Sequence, residues 1–271
     1  MNLLCHSNHM RLGGFVCCLC FRGVLVLGLF AVLLTGCSRV KPTASENRAA
    51  YVVLLHGLGR GPSSMDSIAA CLAEAGYTVV NAKYPSTRYP VKQIAETHIP
   101  EIMGRCRENE HKKIHFVTHS MGGIVLRQYL QAHQLPPGSR IVMISPPNQG
   151  SELVDVFGGW FFFEWIYGPA GKTLGTGPQS LPKRLAPVDA EIGIIAGSRS
   201  FNPIGSWIIP GKDDGRVAVE STILPGMNDF LVLPRTHNFI AESAEVCRQV
   251  AAFLETGRFK RSRQASEREG Q

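Results

Sequence analysis

Charge is scarce in this chain: of 271 residues, 18% are Asp, Glu, Lys or Arg, against 44% apolar. That balance excludes a largely unstructured, self-repelling chain and leaves ample material for a buried core. Long apolar runs are scarcer still. The one candidate, Val24 to Leu34 (VLVLGLFAVLL), has eleven residues, too few to cross a bilayer comfortably, so a polytopic membrane protein is excluded. No segment recurs at a period of about 20–50 residues, which excludes a solenoid. The body after Cys37 has no C-x-x-C pair, which removes the usual signature of a structural zinc. The net charge is +7, but much of the excess lies in a polar tail with Arg258, Lys260, Arg261, Arg263 and Arg268. With no basic stripe interleaved with aromatics, nucleic acid is not expected as a partner.

What the N-terminus does contain is ordered. Arg11 and Arg22 precede the apolar run, and no acidic residue occurs before Glu46. This is the basic-then-apolar layout of a secretory signal, and Met10 as the start would give it a more typical length. The run ends in Leu34-Thr35-Gly36-Cys37, which resembles the lipobox of bacterial lipoproteins. The resemblance implies cleavage after residue 36, acylation of Cys37, and a polar linker over residues 37–49. It further implies an exported body held to a membrane of the cell envelope by its acyl chains. Of the eight cysteines, Cys71, Cys106 and Cys247 then remain in the body. Three thiols permit at most one disulfide, and the pairing stays open.

From residue 50 onward, apolar strand-like runs alternate with helical patterns. Strands are expected at Tyr51–Leu55, Tyr77–Asn81, Lys113–Thr118, Arg140–Ser145, Glu191–Ala196 and Asp229–Leu233. Helices are expected at Ser63–Ala75, Tyr89–Cys106 with Pro100 inside, Met121–Gln134 and Ala241–Leu254. Short Val/Ile/Leu runs between helices indicate an α/β fold whose mostly parallel sheet is covered by helices on both faces.

The third strand runs directly into Thr118-His119-Ser120-Met121-Gly122-Gly123. A sharp strand-to-helix turn of the G-x-S-x-G type lifts its serine above the sheet, and small residues two positions either side let strand and helix close. Gly122 fits; Thr118 stands where the first glycine belongs. A plain helix N-cap serine is the competing reading. The first strand leads into His56-Gly57-Leu58-Gly59, followed by Arg60 and Gly61. A dinucleotide loop would need a carboxylate ending the second strand, but Asn81-Ala82-Lys83 stands there, so no cofactor is expected. The alternative is an oxyanion site built from the N–H groups of Leu58 and Met121.

A serine nucleophile needs a base and an orienting acid, in chain order Ser, acid, His. His237, in Thr236-His237-Asn238 after the last strand, is placed for the base. Asp214, before Gly215 in an Asp-Gly turn, is the favoured acid, with Asp213 in reserve. His111, His115 and His119 recur every fourth residue, but His115 falls in a strand, where that spacing cannot gather a metal; no metal site is expected. His119 is expected to pack within the turn.

Taken together, HGLG, THSMGG, SPPNQGSE (Ser145 to Glu152), DDGRVAVEST (Asp213 to Thr222) and LPRTHNFI (Leu233 to Ile240) resemble the α/β-hydrolase family, in its lipase- and esterase-like branch. The resemblance covers roughly Ala50 to Glu255. It implies a hydrolase domain over residues 50–256, with Ser120 as nucleophile, His237 as base, Asp214 as acid, and Leu58 and Met121 as oxyanion donors. The reaction implied is hydrolysis of carboxylic esters, lipid-like or of short to medium chain. Acyl transfer or amide hydrolysis by the same residues, or a non-catalytic scaffold of the same fold, stay open.

Between the fourth strand and Glu191 lies an insertion, about residues 150–190, carrying Trp160-Phe161-Phe162-Phe163-Glu164-Trp165-Ile166-Tyr167. It is expected to cap the site, forming an acyl pocket lined by Trp160 and Phe162 or an interfacial surface for lipid, or else to pack wholly on the core. Gly168 to Pro182 reads as a mobile connection, and residues 257–271 as a solvated basic tail.

Overall fold

A computed structural model describes residues 50–106 and 113–261. The expected signal segment, Cys37, the linker over 37–49, His111 and the tail beyond 261 lie outside the described residues. Strands β1 (Tyr51–Leu55), β2 (Thr78–Asn81), β3 (Ile114–His119), β4 (Arg140–Ile144), β5 (Glu191–Gly197) and β6 (Asp229–Leu233) form one six-stranded sheet in the order β2-β1-β3-β4-β5-β6. Every pairing is parallel.

Alternation along β1 shows why the sheet needs two covers. Tyr51, Val53 and Leu55 point into one apolar layer, with helices α2 (Val91–Gly104) and α3 (Met121–Tyr129). Val52 and Leu54 point into the other, with α1 (Asp66–Glu74) and α8 (Ala244–Thr256). A strand buried on both faces must be apolar throughout, as YVVLL is. Cys71 on α1 and Cys247 on α8 form the disulfide, their Cα atoms 6.5 Å apart, while Cys106 is a buried free thiol.

Several expected boundaries shift for local reasons. The helix expected from Ser63 starts as a 3₁₀ turn over Pro62–Met65, and α1 proper begins at Asp66. Helix α3 stops at Tyr129 rather than Gln134, because Gln131 to Gln134 are all exposed and would bury nothing by continuing. The last helix begins at Ala244, after a 3₁₀ turn at Ile240–Glu242. The tail is not solvated from its start. Phe259 is buried against Phe253, and Arg261 pairs with Asp229 at 2.6 Å, so residues 257–261 pack back along β6.

The insertion between β4 and β5 contains α4 (Glu152–Phe157), α5 (Phe161–Lys172) and α6 (Leu181–Arg184). Buried Arg127 of α3 anchors its two ends, donating to the carbonyl and side-chain oxygens of Asn148 and to the carbonyls of Pro182 and Leu185. The connection expected from Gly168 to Pro182 is packed at its start, contrary to expectation, while Gly177 to Gln179 are exposed. Gly168, Ala170 and Gly171 are buried, and a Cβ on Gly168 would collide with the Thr87 backbone. Gly168 also has φ +66°, so glycine serves both the bend and the contact. A six-residue helix the pattern did not disclose, α7 (Pro203–Ile208), is capped by the Asn202 side chain accepting from Gly205 N–H at 3.0 Å. Among the described residues no helix is long and apolar enough to cross a membrane.

Candidate active site

The C-terminal edge of the parallel sheet gathers the turn after β3, the loop after β1, and the loops before and after β6. At the first of these, Ser120 has φ +53° and ψ −124°, a conformation an L-residue enters only at a cost of order 1–3 kcal/mol. The surrounding packing enforces it. A Cβ on Gly122 would lie 2.5 Å from the Leu55 carbonyl oxygen, so helix α3 starts against β1 only because that position has no side chain. Thr118, the departure from the usual turn, fits by a neighbouring vacancy. Its hydroxyl sits 3.3 Å from where a Cβ on Gly123 would be, so the second glycine of the pair gives back the room the threonine takes.

Ser120 occupies the N-cap position of α3 yet makes no side-chain cap. Its Oγ instead lies 3.0 Å from His237 Nε2, and His237 Nδ1 lies 2.7 Å from Asp214 Oδ2. The competing cap reading therefore fails on this observation. The structure brings together the three side chains the sequence singled out, although they stand as far as 117 positions apart in the chain.

Each partner is itself fixed. Asp214 sits in a tight turn where its Oδ1 accepts from the N–H groups of Arg216 and Val217, at 3.0 and 2.9 Å. Burial pushes its pKa up, but the His237 imidazole, together with hydrogen bonds from His237, Ser145 and Val217, prevails and holds the carboxyl below its ordinary value. Asp213 faces elsewhere, accepting from Ser206 Oγ and Gly215 N–H. His237 is tied through its backbone as well, its N–H donating to the Asp214 carbonyl at 2.9 Å.

His119 packs in the turn as expected, but it also does something the motif did not disclose. Its Nε2–H donates to the His237 carbonyl at 3.1 Å, pinning the loop that carries the imidazole. Burial, reinforced by the neighbouring His237, lowers its pKa to about 3, so it stays neutral near pH 7. The loop after β1 is braced in a similar way. His56 stacks on Tyr84 with ring centres 4.2 Å apart, and the Tyr84 hydroxyl donates to the His56 carbonyl. Leu58 follows two positions after His56. Met121 contributes the first N–H of α3, one of those a helix leaves without an internal acceptor.

These groups open on a cleft of about 680 Å³. Its apolar lining, which includes Leu153, Val154, Phe162, Phe163 and Ile166, comes chiefly from the insertion. Arg60, Asn202, Arg216 and Asn238 line it as well, with Arg60 tied to the Asn238 carbonyl beside His237. Phe162 lines the cleft, whereas Trp160 does not: it stands half-exposed, edge-on to Phe157 and Phe162. Arg60, Arg216 and Asn202 were not singled out from the sequence as site residues. Among the described residues, no cluster of three or more potential metal ligands occurs.

Residues 52–252 match the family model described as the alpha/beta hydrolase family. The chain belongs to that family. Its fold is similar to that of the Bacillus licheniformis lipase BlEst2 in mature form, with TM-score 0.64 and 18% identity over 79% of this chain and 93% of the lipase. It is also similar to phospholipase PlaB from Legionella pneumophila, with TM-score 0.62 and 14% identity. That match covers 81% of this chain and 61% of the phospholipase. A metagenomic carboxyl esterase, MGS0156, matches with TM-score 0.53 and 19% identity over 75% of this chain and 69% of its own. None of the curated proteins matches this hydrolase-family chain by sequence. At such identities the likeness is one of fold, and the chemistry must be argued from the site.

Proposed function

We propose that the protein is a serine hydrolase of carboxylic esters with lipid-like or short-to-medium acyl chains. The observation that carries this reading is the continuous hydrogen-bonded line Ser120–His237–Asp214 at the mouth of an apolar cleft. Ser120 Oγ attacks the ester carbonyl while His237 Nε2 takes its proton. The carbonyl oxygen becomes an oxyanion, which the N–H groups of Leu58 and Met121 receive. As the intermediate collapses, the bond to the leaving alcohol breaks and His237 hands that oxygen the proton. Water then attacks the acyl-enzyme with His237 again as base, releasing the acid and restoring Ser120. Asp214 holds the imidazole tautomer that presents Nε2 to the serine and stabilises the imidazolium between steps.

The insertion supports the apolar acyl side of the reading. Helix α5 turns Phe162, Phe163 and Ile166 toward the cleft while leaving Phe161 and Trp165 almost fully exposed. Soluble proteins rarely expose such contiguous apolar surface without a use for it. Attachment to a cell-envelope membrane through acylated Cys37 is part of the same proposal. It rests on the lipobox-like sequence and on a Cys71–Cys247 disulfide that an oxidising compartment favours.

The test is hydrolysis of a short-chain aryl ester, together with labelling by a fluorophosphonate. Ser120→Ala should lower turnover on the order of 10⁴ to 10⁶-fold and abolish the adduct while leaving the fold intact. Turnover retained in that variant removes Ser120 from the mechanism.

A further inference from the structure

The lining of the cleft is one-sided in charge. Among the described residues no Asp or Glu lines it, yet Arg60 and Arg216 both do. Neither arginine forms an ion pair with a carboxylate among the described residues. Arg60 donates instead to the Asn238 carbonyl at 3.2 Å, which places its guanidinium one residue from the base. Arg216 follows the acid by two positions; its backbone N–H is spent on Asp214, and the residue is exposed and lines the cleft. The two carboxylates next to Arg216 in the chain are buried and already committed: Asp214 to His237, Asp213 to Ser206 and Gly215. A second, smaller cleft of about 200 Å³ adjoins His237 and Asp214 and is again bordered by Arg216. Phe201 forms part of its wall and carries the Arg199 guanidinium over its ring at 5.2 Å.

The chemistry of the reaction assigns these groups. His237 must protonate the departing oxygen, so the leaving group has to lie on the His237 side of Ser120. The acyl chain then takes the apolar wall. We infer that the alcohol released by this enzyme bears an oxyanion, a phosphate or a carboxylate, held by Arg60 and Arg216. Guanidinium forks match such groups geometrically as well as in charge. The inference rests on the serine-hydrolase reading and names its substrate class.

Three hexanoyl esters test it, with leaving alcohols of one size class: ethylene glycol (neutral), 2-hydroxyethyl phosphate, and glycolate. The readout is kcat/KM for each anionic ester divided by that for the neutral one, and comparing wild type with variant cancels intrinsic reactivity. Arg216→Gln and Arg60→Gln should each lower the ratio about tenfold for the preferred anion, and the double variant should lower it further. Added salt should lower the ratio in the wild type. Arg248→Gln, exposed on α8 and outside the lining of both clefts, removes the same charge and should leave the ratio as it was. The phosphate and glycolate arms decide which oxyanion is preferred. If the neutral ester is turned over and neither cleft variant changes either ratio, the inference is overturned while the serine-hydrolase reading stands. If wild type hydrolyses none of the three and takes no fluorophosphonate, the underlying reading fails and this one with it.

Discussion

Helices α8 and α5 are both rich in apolar residues, and they wear them on opposite sides. In α8, Val246, Cys247, Val250, Phe253 and Leu254 recur at helical spacing and all face the sheet. In α5, Phe161 and Trp165, four apart on one face, are 89% and 86% exposed. Folding explains the first pattern, since each buried side chain gains by leaving water. It does not explain the second, where the same kind of side chain remains in water at no gain to the fold. The buried residues of α8 build the domain; Phe161 and Trp165 of α5 contribute nothing to its core.

That contrast can be pressed by substitution. Phe253 is wholly buried and packs on Phe259, so Phe253→Ala should cost about 3–5 kcal/mol in equilibrium unfolding by denaturant. A loss under 1 kcal/mol would mean α8 is not the structural member of the pair.

Acid offers a second way to separate the two regions, because the insertion contains no histidine and the sheet holds buried ones. His115 of β3 accepts the Arg140 N–H at its Nδ1, and burial, aided by Arg140 and Lys113, lowers its pKa to about 4. The unfolded chain takes up that proton near pH 6.5 and the folded one only near 4. Stability from this group is therefore full above about pH 6.5 and drains away as pH falls toward 4, by up to about 3 kcal/mol. His115→Gln, which can still accept from Arg140, should flatten part of the acid slope of the melting temperature. An unchanged slope would assign the acid sensitivity elsewhere.

The smallest effect is expected in the insertion. Phe161→Ser and Trp165→Ser should each shift stability by no more than about 0.5 kcal/mol, as exposed positions do. A cost like that of Phe253→Ala would show that α5 is held by a partner surface within the folded protein, and the comparison would collapse.

The sequence disclosed much of this because its strongest signals are local or strictly ordered. β1 and, after Arg140, β4 are continuous apolar runs bounded by turns, and Ser120, Asp214 and His237 each sit in a short motif whose order along the chain is itself diagnostic. What stayed hidden depends on distance in space. Any of Cys71, Cys106 and Cys247 can pair on paper; only the packing of α1 on α8 decides. Helix α7 has six residues, too few for periodicity to register, and its Asn202 cap is visible only in retrospect. Arg60 and Arg216 look like ordinary loop residues until the loops that carry them meet at His237. The Thr118 departure became intelligible only once Gly123 was seen beside it.

Because Cys71 and Cys247 stand 176 positions apart, their bond makes most of the chain a covalent ring, and Ser120, Asp214 and His237 all lie within it. A protease that nicks the ring once releases nothing: the two pieces remain one molecule, with every reacting group still aboard. Only a reductant acting after the cut would let them drift apart.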